Sequence, residues 1–286
     1  MAEEKGRKKV VRVDAPTPTT ASGKREPVWT PTPEAKSQAT RLRVGAWVLW
    51  ILAIAAEIGA IAWALPQASE RFWLLLVMFI PIAALAIAAN LLWKKANRLD
   101  PASKQNAAKF FVQNQLGAIM TVIAFLPLVI LILLDKNMDG KQKAIAGGVG
   151  AVVMVLIAAF TGASWDGGPS QEQYAEEENI IVRLTGKDEV FWVKDGKVFH
   201  VCEAVPDVNK ESKDGKIYQG TVAAAHAAGK DRLTKNWKSE ATKHCGYTQE
   251  QVDAVVAGLK AVEEGEAPAA EPTDAPESEG AEDTEE

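Results

Sequence analysis

Four nearly charge-free runs, residues 44–65, 72–93, 115–134 and 144–163, constrain this chain more than any other feature. Each is about 20 residues long, the length a helix needs to cross the ~30 Å hydrocarbon core of a bilayer. The second, FWLLLVMFIPIAALAIAANLLW, holds no ionisable side chain. A helix on the surface of a water-soluble core shows a polar stripe, and this run has no charged one. The pattern predicts an all-α transmembrane four-helix bundle. The first run follows 43 mostly polar residues and meets Pro66-Gln67 rather than a small-residue cleavage site. It therefore reads as a retained anchor and not as a cleaved signal peptide.

Basic residues in the flanks orient such a bundle. Residues 1–43 carry ten Lys and Arg, and the loop after the second span carries five: Lys94, Lys95, Arg98, Lys104 and Lys109. The loop after the first span has only Arg71, and DKNMDGKQK after the third has three lysines diluted by two aspartates. The bias predicts a multi-pass protein of the cell membrane with both termini cytoplasmic. The three-lysine loop is the weakest point of that topology, because three crossings would leave residues 164–286 outside. Trp47, Trp50, Trp63, Trp73, Trp93 and Trp165 fall near span ends, where indole rings favour the interface.

Outside the spans, composition changes sharply. Residues 1–43, with APTPTTASG and TPTPEAKS, bury too little apolar surface to fold and read as a disordered tail with a basic head. Residues 164–179 read as a linker because Gly-Gly-Pro is followed by an acidic run. Residues 180–262 predict a small α+β soluble domain. Its start, IIVRL, reads as β-rich, and VFWVKDGKVFHVCEAV reads as a hairpin turning at Asp195-Gly196. In TVAAAHAAGK, Thr221 suits an N-cap and Gly229 a helix stop. Thr248 and Gln251 have capping-box spacing, and Val252, Val255, Val256, Leu259 and Val262 share one face of the helix that follows. The acidic residues 263–286 read as a second disordered tail.

Candidate chemistry is sparse. Glu57 is the one carboxylate inside a predicted span, and an ionisable group there is costly enough to need a partner or a role. It suits either a proton or cation site, or a hydrogen bond across helices to Asn114, Gln115 or Thr121. Gly147, Gly148, Gly150 and Ala151 in the fourth span permit close helix packing, within the chain or through self-association. Pro81 and Pro127 are candidate kinks. His200, Cys202, His244 and Cys245 could offer four nitrogen and sulfur ligands to zinc. Their H-x-C and H-C spacings match no established zinc pattern, so these four remain weak metal candidates. No cofactor and no catalytic residue is assigned.

Two cysteines make no disulfide framework. In a cytoplasmic domain they would be reduced thiols; on the other side they could form one disulfide, so their state reports the side of the membrane. The chain has no P-loop, G-x-G-x-x-G or G-x-S-x-G motif. Lys230, Arg232, Lys235, Lys238 and Lys243 around Trp237 read as a solvated face, and nucleic acid is not an expected partner.

The order of four spans, LWKKANRLDPASK, DGKVFH and IYQGTVAAAHAAGK resembles a group of uncharacterised multi-pass membrane proteins from actinobacteria. Their C-terminal segment is marked by an aromatic residue before a His, a Cys soon after, a G-T-V-x-x-A-x-x-x-G-K helix and a closing Cys pair. That segment is itself similar to the small Cys-rich zinc module of Ada-type DNA-repair proteins. The likeness spans most of residues 44–246 and implies no assigned activity. Here Cys202 follows His200 too closely and the closing segment keeps only Cys245, so the implied ligand set is incomplete. Together these readings predict a membrane-anchored scaffold or sensor that binds a protein partner, not an enzyme. The alternative is a small transporter or ion-coupling subunit using Glu57.

Overall fold

The computed structural model describes residues 8–13, 29–165, 167–210 and 214–263. The rest of the two expected tails lies outside the described residues. The chain is mostly helical, 67%, and divides into two compact units. Residues 30–171 form one, and the described residues up to Trp29 join those from Glu172 onward to form the other.

The first unit contains four helices long and apolar enough to cross a membrane: Pro33–Gln67, Phe72–Leu99, Ala107–Leu134 and Gly140–Gly162. Helix α1 (Pro33–Gly59) starts on Thr32, whose hydroxyl accepts the Ala35 N–H, and runs on through a π turn, Ala60–Ala64. It packs along α2 (Phe72–Leu99), which continues through Pro81. The third apolar stretch is broken into α3 (Ala107–Ile123) and α4 (Leu126–Leu134). Pro127 causes the break: its ring clashes with the carbonyl four residues back, at Ile123, and it offers no N–H. Helix α5 (Gly140–Ile157) starts on a capping box between Asp139 and Gln142. Alanines, aliphatic side chains and aromatic rings fill the interior, including Ala53, Leu75, Phe79, Ile82, Ala86 and Phe125, while Ile51, Ile58, Trp63, Trp73, Ile80 and Phe160 face outward. Large apolar side chains exposed over this much of the surface suit a lipid surround.

The second unit is stitched from both ends of the chain. Strand β1 (Lys9–Arg12) lies in the segment that composition assigns to disorder, and this is a correction. It runs parallel to β4 (Lys216–Gly220), with Val10 opposite Ile217 and Val11 opposite Tyr218. The residues gain order because β4 supplies the hydrogen-bonding edge they lack alone. The Val13 N–H donates to the Gln219 carbonyl (2.6 Å). The Val13 carbonyl lies where a side chain at Gly220 would put its Cβ, 2.7 Å away.

Three further expectations are corrected. Residues 171–179 are no linker and IIVRL is no strand; both belong to helix α6 (Gln171–Thr185). Tyr174, Glu177, Ile181 and Leu184 form its buried stripe at helical spacing. The Asp195-Gly196 turn is also not a tight hairpin. Strand β2 (Val190–Trp192) pairs antiparallel with β4, and β3 (Val198–Phe199) pairs parallel with β5 (Arg232–Leu233). β2 and the end of β3 meet only through Phe191 and His200, whose backbones exchange hydrogen bonds of 3.0 and 2.8 Å.

Short helices complete the unit: α7 (Pro206–Lys210), α8 (Val222–Ala227), α9 (Trp237–Lys243) and α10 (Gln249–Glu263). Thr221 caps α8 and Gly229, at φ +92°, ends it, as expected. The reciprocal Thr248–Gln251 bonds of the α10 capping box are present. Val252 and Val255 are buried against Trp192, Val222 and Ala241, so the apolar face of α10 serves the unit's own core.

Candidate functional site

Within the helical unit, Glu57 is buried at 3% exposure, and its Oε1 accepts the Leu128 N–H (3.0 Å). Leu128 is the third residue of α4, so its N–H is one of those a helix start leaves without a partner. Glu57 thus caps a broken helix from a neighbouring one, as an N-cap side chain would from within. The expected partners Asn114, Gln115 and Thr121 are engaged elsewhere. Asn114 donates to the Phe110 carbonyl, Gln115 to the Ser164 carbonyl, and Thr121 to the Gly117 carbonyl.

Sequence reasoning missed Asn90, the fully buried hub of this unit. Its Oδ1 accepts the Trp50 indole N–H (3.2 Å), and its Nδ2 donates to the hydroxyls of Thr121 and Thr161, both at 3.0 Å. These four residues lie one on each of the four candidate spans. A lone amide in an otherwise apolar run was the available signal. At one end of the bundle Arg43 pairs with Asp100 (2.5 Å), and its guanidinium lies 5.8 Å from the Trp93 ring centre. Trp93 and Asn97 both donate to the Gln113 carbonyl, at 2.8 and 2.6 Å. In the glycine-rich stretch, side chains at Gly147 and Gly150 would collide with Leu133 and with Phe79 and Val129, so these glycines serve packing inside the chain. Gly148 meets nothing within 4 Å.

The second unit buries a denser set of polar groups. His226, 1% exposed, sits with Nε2 2.6 Å from Glu177 Oε2 and Nδ1 3.0 Å from the Lys230 carbonyl. Both ring nitrogens face oxygens, so the imidazole is held at both ends. Tyr174 stacks on the imidazole at 3.7 Å and Phe199 meets it edge-on. The other Glu177 oxygen accepts from Gln173 (3.0 Å) and the Leu233 N–H (3.2 Å). Lys230, expected on a solvated face, is 2% exposed. It donates to the carbonyls of Val193 (2.6 Å), Lys194 (2.9 Å) and Gly196 (2.5 Å). This ammonium gathers three carbonyls inward, which is why the Asp195-Gly196 loop is wider than a two-residue turn.

Asp188 accepts the Val222 N–H (2.9 Å) through Oδ1, while its buried Oδ2 has no hydrogen-bond partner. Burial pushes its carboxyl up to about 6 against the opposing pull of the Val222 N–H and His226. Burial, and then the Asp188 charge, push Glu178 up to about 8.

The four metal candidates do not converge as a ligand set. Cys202 and Cys245 are bonded to each other as a disulfide, with Cα atoms 5.8 Å apart. Of the two states expected, reduced thiols in the cytoplasm or one disulfide on the other side, the structure has the disulfide, which runs against the placement drawn from the basic flanks. Buried His200 places Nδ1 3.1 Å from both oxygens of Glu240, and His244 is exposed. Thiolates are what a zinc ion would bind, and both sulfurs here are consumed. Among the described residues no group of three or more His, Cys, Asp or Glu side chains is placed to hold a metal ion. Compared with known proteins, the chain matches no family model, no curated protein and no solved structure.

Proposed function

We propose that the chain is a multi-pass protein of the cell membrane that acts as a scaffold or sensor. It presents its second unit at the cytoplasmic face to bind a protein partner. The observation that carries the topology of this reading is the pairing of β1 with β4. It joins a segment before the first span to one after the last, so both must lie on the same side. Four crossings satisfy that requirement and three do not. The excess of Lys and Arg in residues 1–43 and 94–109 favours the cytoplasm as that side. The lipid bilayer is then the first partner and a protein bound by the second unit is the other; nucleic acid is not part of the reading.

The Glu57 geometry favours this over the transporter alternative. A carboxylate aimed at a helix N-terminus is matched by the positive end of the helix dipole, which opposes a cation at the same place. Likewise, each buried His is already paired with a carboxylate, and both cysteines with each other. The disulfide leaves no pair of thiolates for a zinc site of the kind the resemblance implies.

Reconstituted in liposomes, the wild-type protein and Glu57→Gln are expected to show the same absence of proton- or cation-driven flux. A flux present in the wild type and lost in the variant would replace the scaffold reading with the transporter one. In membranes, a photocrosslinker on the exposed side of α10 is expected to yield one discrete protein adduct.

A further inference from the structure

The charge pattern places the second unit in the cytoplasm, yet the unit contains a disulfide. Cytosolic thiols are kept reduced, and the disulfides that do form there are mostly transient, catalytic or redox-sensing. The surroundings of this one give it something to control. Cys202 follows β3 and Cys245 follows α9, so the bond ties two segments 43 residues apart in sequence. The same two segments are held by His200 and Glu240. Both cysteines pack against a small cluster made of Val193, Val205, Val208 and Ile217.

That cluster is also where the N-terminal strand is seated. The Val208 carbonyl accepts the Lys8 ammonium (3.1 Å), and Ile217 stands opposite Val10 in the β1–β4 pairing. Neither cysteine is fully buried, so an exchanging thiol can reach the bond.

We propose that Cys202 and Cys245 form a reversible dithiol–disulfide clasp whose state sets how firmly the C-terminal domain holds the N-terminal strand β1. Closed, the bond fixes the Val208–Ile217 cluster and with it the seat of β1. Open, the two segments stay joined by the His200–Glu240 pair and by the apolar packing of the cluster, without the covalent tie. The chemistry is thiol–disulfide exchange with a small-molecule disulfide of the glutathione type. One cysteine thiolate attacks the incoming disulfide and expels one thiolate; the second cysteine then displaces the other. The protein loses two protons and two electrons, and the incoming disulfide leaves as two thiols. A dithiol reductant reverses both steps. This clasp gives the sensor reading its regulation and rests on the cytoplasmic placement.

The test uses full-length protein. In cells given a pulse of thiol oxidant and allowed to recover, trapping by alkylation is expected to show the bond forming and then opening. In isolated membranes, reduction is expected to raise amide hydrogen exchange at residues 9–13 by about tenfold or more. The double variant Cys202→Ser/Cys245→Ser should match the reduced protein and ignore oxidant. Three results overturn the inference. If both sulfurs stay in one state through pulse and recovery while the domain is shown to be cytoplasmic, the clasp fails and the placement stands. If exchange at residues 9–13 is equal in both states, the link to β1 fails. If a membrane-impermeant reductant and alkylating reagent reach the sulfurs in intact cells, the placement fails and takes the clasp with it.

Discussion

The two units solve the same problem, a buried carboxylate, in different ways. Glu57 in the helical unit meets one backbone N–H at a helix break, with apolar residues around it. Glu177 in the second unit meets an imidazole, an amide side chain and a backbone N–H, under stacked aromatic rings. In the first, apolar packing dominates, and a few isolated polar contacts, Glu57 at a helix break and Asn90 across the four spans, are set into it. In the second, the polar contacts around Glu177, His226 and Lys230 form one continuous cluster in the core. Residues 177, 226 and 230 connect α6, α8 and the loop after β2, and removing one disturbs all three.

The comparison breaks most directly at His226. His226→Ala removes a fully buried ring and leaves Glu177 Oε2 without its partner, a loss of about 3–5 kcal/mol, the range for truncating a buried aromatic side chain. A large fall in the thermal midpoint of the second unit, with the helical unit unchanged by circular dichroism, is expected. Equal stability would mean that the polar core does not specify the domain. Next in size is Glu57→Leu, which leaves the Leu128 N–H unsatisfied at a cost of about 1–3 kcal/mol. Glu57→Gln keeps an acceptor and is expected to cost less. Detergent-induced unfolding of the two variants separates a cap from a charge requirement. Asn90→Leu removes the three bonds of the hub. Interhelical hydrogen bonds in membranes are each worth about 0.6 kcal/mol on average, so a loss on the order of 1–2 kcal/mol is expected by the same assay.

A further effect concerns pH. Glu178 and Asp188 bind protons more tightly folded than unfolded, so the folded unit holds more protons between about pH 4 and 8. Stability from these groups therefore falls as pH rises through that window. Glu178→Gln is expected to flatten the decline and to raise the thermal midpoint at pH 8. A variant that melts lower at pH 8 than the wild type would contradict this.

Legibility in the sequence follows the same division. The four apolar helices were readable because hydrocarbon thickness sets a length that hydropathy detects. Their ends were not, because α1, α2 and α3 extend beyond the apolar window into residues such as Glu34, Arg98 and Lys109. Hydropathy reports contact with lipid, and helicity does not stop where that contact stops. The caps at Thr221 and Thr248 were readable because they are local. IIVRL was misread as a strand because its β-branched residues were considered without the acidic turns before them. The stripe Tyr174, Glu177, Ile181 and Leu184 becomes visible only when QEQYAEEEN is included. β1 was invisible because its order comes from β4, more than 200 residues away. The pairs Glu177–His226 and His200–Glu240 are nonlocal too, and no spacing rule announces them, whereas Cys202–Cys245 was legible as the one pairing that two cysteines allow.

The central claim is that the two ends of the chain fold together on the cytoplasmic side of an even number of spans. Protease protection of epitopes at both termini, compared in right-side-out and inverted membrane vesicles, tests it most directly. Both epitopes are expected to be protected in right-side-out vesicles and cleaved in inverted ones. Cleavage of one terminus from each side would contradict the account.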